Sequence, residues 1–318
     1  METQATPQKV FFELTRACNL TCTHCLNDSG VSLADELSSS EVLTIIQNLA
    51  ENGIKEVRFT GGEPTIHPVL TDAIAYAHVL GLRTSIGTNG VAITRSFAQQ
   101  LADAGLMRAI TSIDGDQETH DRIRGTGAFR RTWRGIRTLR DHGVEIRVNA
   151  VAMMSSLQSL PTLAERCERE RVRLFVRRFI PSGRAESQIH EFPTQTAYEE
   201  LRRVLDPWIQ SGVADGHYLT DAHGACSAGT TGFVILPNGD VKSCGFLSGL
   251  GEASYGNVRH DSLPLIWERM RRSRFLEQGW AGLTHFNKTH RQLPVTNCMA
   301  LSLGMQAPLV QLRKRPVR

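Results

Sequence analysis

The sequence predicts an α/β fold, a parallel sheet with helices packed outside it. Three observations predict it. Strand-like and helix-like runs alternate six times between about residue 10 and residue 210. Glycines punctuate the alternation: Gly53, Gly81, Gly105 and Gly143 each stand between a helical run and the next strand. The length, 318 residues, suits one large α/β domain or such a domain with a small appendage.

The elements follow in order. The first strand is read at 10–14, Val10-Phe11-Phe12-Glu13-Leu14. The first helix, 39–52, opens on Ser38-Ser39-Ser40-Glu41, N-cap residues followed by an acid in the first turn. The second strand, 56–60, precedes a helix at 68–80; the third, 82–87, a helix at 94–104; and the fourth, 108–113, a helix at 129–142. The fifth strand, 144–151, leads to a helix at 157–170, and the sixth, 173–179, to one at 195–211. Cys167 falls inside the charged helix of the fifth pair and reads as structural.

Composition excludes several classes. Lys and Arg number 36 against 32 Asp and Glu, a net charge of +4 that gives no sign of a charge-driven function. The basic tail Gln311–Arg318 reads as a frayed end rather than a nucleic-acid contact. No apolar run reaches the roughly 18 residues that a membrane helix needs, so neither a membrane nor a nucleic acid is an expected partner. An odd count of seven cysteines and no signal peptide argue against a disulfide framework and point to reduced thiols in the cytoplasm.

Cys18, Cys22 and Cys25 form C-x3-C-x2-C just after the first strand. A [4Fe–4S] cluster takes four ligands, so three thiolates on one loop leave one iron open to bind something else. Structural zinc usually takes four protein ligands, often as two C-x2-C-like pairs, and this spacing is unusual for that. A second run, Gly61-Gly62-Glu63-Pro64, follows the second strand. Paired glycines let a backbone approach a ligand closely, and a carboxylate such as Glu63 accepts from an ammonium group.

In this order, each after a strand, the two runs resemble the cysteine and GGEP motifs of the radical S-adenosylmethionine (SAM) enzymes. The resemblance implies a partial (β/α)6 barrel that opens laterally. It implies a [4Fe–4S] cluster on Cys18, Cys22 and Cys25, with SAM lined at its methionine end by Gly61, Gly62, Glu63 and Pro64. His24 stands where the family often has an aromatic residue, and it could pack near the adenine. Ser112-Ile113-Asp114-Gly115 with His120-Asp121-Arg122-Ile123-Arg124 resembles the family's SIDG…HDxxR segment, which implies that Ser112 and Arg124 hold the SAM carboxylate. Thr88 and Asn89 would run near the ribose. Arg177 and Arg178 must face opposite sides of their strand, and a strand-end arginine such as Arg178 is expected to face the barrel.

Domains are read as a core at 1–212, an extension at 213–300 and the basic tail at 301–318. The extension holds Cys226, Cys244 and Cys298, and a hairpin from strands at 233–236 and 240–243 around Asn238-Gly239. It resembles a shortened SPASM or twitch extension, which implies a second iron–sulfur cluster on those three cysteines. The other reading is a hairpin that has lost its cluster, with Cys244 free to serve as a hydrogen-atom donor.

The resemblance also implies the reaction: an electron donor such as a flavodoxin or ferredoxin, reductive cleavage of SAM to a 5′-deoxyadenosyl radical, and hydrogen abstraction from substrate. The preferred substrate is a small polar natural product, namely a sugar, aminoglycoside, aminocyclitol or sugar nucleoside. It would undergo epimerisation, dehydrogenation or decarboxylation in antibiotic-type biosynthesis. The motive is that the first strand begins by residue 10, leaving no room for an N-terminal peptide-recognition domain. The alternative is thioether formation, epimerisation or crosslinking of a ribosomal peptide. A non-catalytic iron–sulfur or zinc sensor is the reading from another class, and the GGEP and SIDG-like runs argue against it.

Overall fold

Six strands, β1 (Lys9–Thr15), β2 (Glu56–Gly61), β3 (Arg83–Thr88), β4 (Arg108–Ser112), β5 (Glu145–Ala152) and β6 (Arg173–Arg178), each pair in parallel with the next. The structure, a computed structural model, describes residues 7–215, 226, 228–247, 252–289 and 298–300; the basic tail lies outside them. Between and after the strands run α1 (Ser39–Glu51), α2 (Leu70–Val79), α3 (Arg95–Asp103), α4 (Gln117–Arg124), α5 (Ala128–Asp141), α6 (Leu160–Arg169) and α7 (Gln195–Gln210). The α/β fold with a parallel sheet is therefore as expected. Ser38 caps α1 as its sequence suggested: its hydroxyl accepts from the Glu41 N–H at 3.3 Å while Glu41 Oε2 accepts from the Ser38 N–H at 2.7 Å.

Alternation along the strands sorts side chains between two sides of the sheet. Val10, Phe12 and Leu14, with Val57 and Phe59 beside them, point outward into the apolar core beneath the helices. Phe12 and Phe59 are fully buried with ring centroids 6.3 Å apart, each contributing about 1.5–3 kcal/mol by burial. The intervening residues, among them Phe11, Glu13, Arg58, Arg147, Phe175 and Arg177, face the inside of the barrel. The same alternation corrects the expectation for Arg178. Its guanidinium lies 5.7 Å from the Tyr198 ring of α7, on the helix side, while Arg177 lies 5.4 Å from the inward Phe175 ring.

Helix α4 has no counterpart in the sequence reading. It is eight residues long with Ile123 as its single aliphatic residue, so no apolar stripe announces it. Asp116 caps it by accepting from the Thr119 N–H at 2.9 Å.

The extension is joined to the barrel sheet. Among the described residues the strand order is β7-β6-β5-β4-β3-β2-β1-β8-β9, where β7 is Ala214–Asp215, β8 Gly232–Ile235 and β9 Val241–Lys242. Strand β8 pairs in parallel with β1 from Lys9↔Gly232 to Phe12↔Ile235. Strand β9 turns back antiparallel through Asn238-Gly239, where Gly239 has φ +89°. Helices α8 (Leu263–Arg271) and α9 (Arg274–Thr289) follow. Arg259 ties this part to the core, Nε donating to Glu41 Oε1 at 2.7 Å and Nη2 to the Asp35 carbonyl at 3.0 Å, while Nη1 donates to the Asn238 carbonyl within the extension at 2.8 Å. No helix among the described residues is long and apolar enough to cross a membrane.

Candidate functional site

Cys18, Cys22 and Cys25 lie on the loop that leaves the C-terminal end of β1. The loop is held from several sides. The Cys18 N–H donates to the Gly30 carbonyl at 3.0 Å, and the Gly30 N–H to the Arg16 carbonyl at 2.9 Å. Arg184, beyond the end of β6, donates from Nε to the Cys22 carbonyl at 3.0 Å and from Nη1 to Asp28 and the Ser29 carbonyl. Burial pushes the Cys18 thiol up to about 11, and burial also raises Cys22 against the pull of Arg124. Thiols so placed become thiolates only against strong positive charge. Three soft sulfur donors on one short loop fit an iron–sulfur cluster.

The glycines of Gly61-Gly62-Glu63-Pro64 have a role that ligand approach alone does not describe. A Cβ on Gly61 would run into the Thr15 backbone, and one on Gly62 into the Ala17 carbonyl. The Gly62 N–H donates to the Thr15 carbonyl at 2.7 Å and the Glu63 N–H to the Ala17 carbonyl at 2.9 Å. The paired glycines thus seat the end of β2 against the start of the cysteine loop.

Glu63 is buried, and burial raises its carboxyl against the hydrogen bonds it receives. Oε1 accepts from the hydroxyls of Thr65 and Thr88, both at 2.6 Å, and Oε2 from the Asn89 N–H at 2.7 Å. Asn89 Nδ2 donates in turn to Asn19 Oδ1, inside the cysteine loop, at 2.7 Å. Thr88 and Asn89 therefore share one network with Glu63 and the loop. Pro64 starts a single 3-10 turn, and its missing N–H costs nothing there.

The fourth strand end is organised by Asp114, which the motif reading passed over. Burial alone would raise its carboxyl, but Arg124 and His24 hold it well below the ordinary range. Arg124 Nε donates to Asp114 Oδ2 at 2.6 Å, and His24 Nε2 lies 3.2 Å from the same oxygen. Asp114 Oδ1 accepts from the Val151 N–H at 3.0 Å. His120 and Arg124, one turn apart on α4, share a face, and His120 Nδ1 accepts from the Asp114 N–H at 3.2 Å. Burial, helped by Arg124, lowers His120 to about 4, consistent with a neutral acceptor. The His and Arg of the segment thus clamp the Asp that precedes them. The far end of Arg124 reaches Cys22, with Nη1 3.8 Å from Sγ. Ser112 stands half-buried at the end of β4, paired with Asn149 of β5. His24 is engaged with the Asp114 pair.

In the extension, Cys226, Cys244 and Cys298 pack against the same core. Burial pushes Cys244 up to about 12, and Cys298 and Cys226 lie close enough to add to that rise. Cys167 is buried in the core on α6, as expected.

Asn19, Asp114 and Arg184 are the structural partners that motif matching missed. Asp114 lies in the Ser112–Gly115 run already marked at the end of β4. Only the fold brings Arg184 to Cys22.

The radical SAM superfamily profile matches residues 12–156, and the profile of the SPASM iron–sulfur cluster-binding domain matches residues 226–298, whose first and last residues are Cys226 and Cys298. The chain is 31% identical to the AdoMet-dependent heme synthase of Nitratidesulfovibrio vulgaris, over 82% of this chain and 78% of that protein. It is 33% identical to the mycofactocin maturase of Mycobacterium tuberculosis, over 74% of this chain and 63% of that protein. The structure of anSMEcpe with bound AdoMet and Cp18Cys peptide shares the fold, with a TM-score of 0.70 and 16% identity, covering 97% of this chain and 98% of that one.

These relatives overturn the preference for a sugar, aminoglycoside, aminocyclitol or sugar nucleoside substrate and with it the assignment to antibiotic biosynthesis. The size argument behind that preference fails as well. The anSMEcpe structure, matched along 98% of its own length, holds a peptide, so a fold of this extent accommodates one.

Proposed function

Because this chain belongs to the radical SAM superfamily and carries a SPASM iron–sulfur extension, we propose that it modifies a peptide by SAM-dependent hydrogen abstraction. The observation that carries the catalytic part is the meeting of four strand ends: the cysteine loop of β1, the Glu63 network of β2 and β3, and the Asp114–Arg124 pair after β4. The peptide part is supported by the anSMEcpe structure, solved with a peptide, and by the maturase relative.

Cys18, Cys22 and Cys25 would hold the [4Fe–4S] cluster, which when bound supplies the electron that cleaves the SAM sulfonium. Glu63 Oε2, with one bond from the Asn89 N–H, keeps capacity for the SAM ammonium group. Gly61, Gly62 and Pro64 shape that wall, Thr88 and Asn89 border the ribose, and Ser112 with Arg124 takes the carboxylate. Cys226, Cys244 and Cys298 would hold the second cluster. The SPASM profile, which runs from Cys226 to Cys298 and spans Cys244, favours this role for Cys244 over that of hydrogen donor. A flavodoxin- or ferredoxin-type protein would supply electrons.

A second reading, modification of a tetrapyrrole, is favoured by the heme synthase relative, which aligns over 82% of the chain. The deciding experiment incubates anaerobically reconstituted, reduced protein with SAM and either a panel of synthetic peptides or iron coproporphyrin. Stimulated 5′-deoxyadenosine release and deuterium transfer from labelled peptide would support the first reading. The same response to the tetrapyrrole alone would replace it with the second, and absence of any SAM cleavage would remove both.

A further inference from the structure

The barrel lumen holds an arginine cluster that the SAM site does not use. Val57 and Phe59 face the outer core, so alternation turns Arg58 inward, three residues before Gly61 and about 10 Å below it along the strand. Arg58 sits beside Ser85 in the sheet register, and Ser85 beside Arg108. All three carry a buried polar atom with no hydrogen-bond partner: Arg58 Nε, Ser85 Oγ and Arg108 Nε. Ser85 is 2% exposed. A cavity of about 290 Å³ lies at the Ser85–Arg108 end of this row, lined by Glu56, Arg83, Thr84, Ser85, Met107 and Arg108, with Arg58 next to it in the sheet rather than in its wall.

The nearby carboxylates are already shared. Glu145 pairs with Arg108 at 2.7 Å and Arg147 at 2.9 Å, and Glu56, which also lines the cavity, pairs with Lys9 at 2.6 Å. Arg58 has no ion pair among the described residues. Its guanidinium lies over the Phe11 ring at 5.0 Å. Burial first, and then the charges of Arg177, Arg108 and Arg147, lower it to about 10 against the pull of Glu56. A half-buried guanidinium among like charges, with an unpartnered donor in the same row as Ser85 Oγ and Arg108 Nε, is a setting that favours an anion.

We propose that Arg58, Ser85 and Arg108 form an oxyanion-binding site in the barrel lumen, distinct from the SAM site and taking a carboxylate or phosphate group. Its position beneath the cysteine-bearing end suits either the anionic end of an elongated substrate or a free anion entering from the opposite mouth. The site does not depend on the peptide reading.

Isothermal titration at constant ionic strength tests it on anaerobically reconstituted protein without SAM, using tricarballylate and inorganic phosphate as separate probes. Saturable binding of either is expected; stronger binding of tricarballylate assigns a substrate-type carboxylate, and stronger binding of phosphate a free anion. Arg58→Gln is expected to weaken binding about tenfold or more, since it removes a charge-assisted donor. It should leave the unliganded protein at least as resistant to urea as wild type, because like-charge crowding is relieved. Ser85→Ala keeps every charge and should weaken binding severalfold, so it decides the matter if Arg58→Gln does not fold. Absence of saturable binding by wild type, or unchanged affinity in Ser85→Ala and in any folded Arg58→Gln, would overturn the site.

Discussion

The backbone N–H of Glu63 donates to the carbonyl of Ala17 at 2.9 Å, so the residue before Cys18 is pinned to the end of the neighbouring strand. Gly62 makes this approach possible, because any side chain there would occupy the position of the Ala17 carbonyl. The run proposed to line SAM therefore also shapes the loop proposed to hold the cluster.

Gly62→Ala should consequently damage the metal site more than the fold. The substitution forces the cysteine loop away from β2 at an overpacking cost of about 1–3 kcal/mol. Iron and sulfide per chain after anaerobic reconstitution should fall well below wild type, with a far-ultraviolet circular dichroism spectrum that is unchanged. Full iron loading of the variant would show that the loop tolerates the shift.

Asp114→Asn removes the charge that faces Arg124 and His24. Breaking one side of a buried pair costs about 3–5 kcal/mol, so urea unfolding of the cluster-free protein should show a loss of this order. Arg124→Gln should cost a comparable amount, and the double variant less than the sum of the two. Strict additivity in that cycle would mean that the pair, bonded at 2.6 Å, contributes nothing jointly.

The Cys18/Cys22/Cys25 triple alanine variant should make no 5′-deoxyadenosine and lose about four irons, with about four remaining on the SPASM extension. Cys244→Ala should give the converse, losing the second set while leaving SAM cleavage measurable. Loss of all iron from the triple variant would mean that the extension carries no cluster.

The Arg259–Glu41 contact gives stability a defined acid limb. Arg259 and the Ser38 cap lower Glu41 to about 2. The folded state thus binds its proton later than the unfolded chain, whose glutamate titrates near 4.3. This contribution is fully present above that value and is lost as pH falls through it toward about 2. Arg259→Gln should lower stability at neutral pH and flatten the acid limb in urea titrations across that window; an unchanged limb would assign it to other carboxylates.

Much of the fold was legible because its signals are local. The Ser38–Glu41 cap and the Asn238-Gly239 turn are each carried by a few adjacent residues. The alternation that sorts Val57 from Arg58 is local too. It failed at Arg178, where sequence shows that neighbours face opposite ways but not which side is the barrel. Helix α4 was missed for want of an apolar stripe. The structure brings the cysteine and GGEP runs together, but nothing local signalled the bonds from Asn89 to Asn19 or from Arg184 to Cys22. Those join residues 70 and 162 positions apart, and only the folded sheet brings them together.

The parallel pairing of β8 with β1 also sets a timetable. The strand that leads into the cysteine loop is made well before its outer edge is covered, by residues roughly 220 positions later. At ribosomal speeds of about 5–20 residues per second, that edge waits on the order of tens of seconds for its partner. During that interval it is an open template for foreign strands. Iron delivery to Cys18, Cys22 and Cys25 during synthesis would meet a half-bordered strand, whereas delivery after release meets the finished sheet.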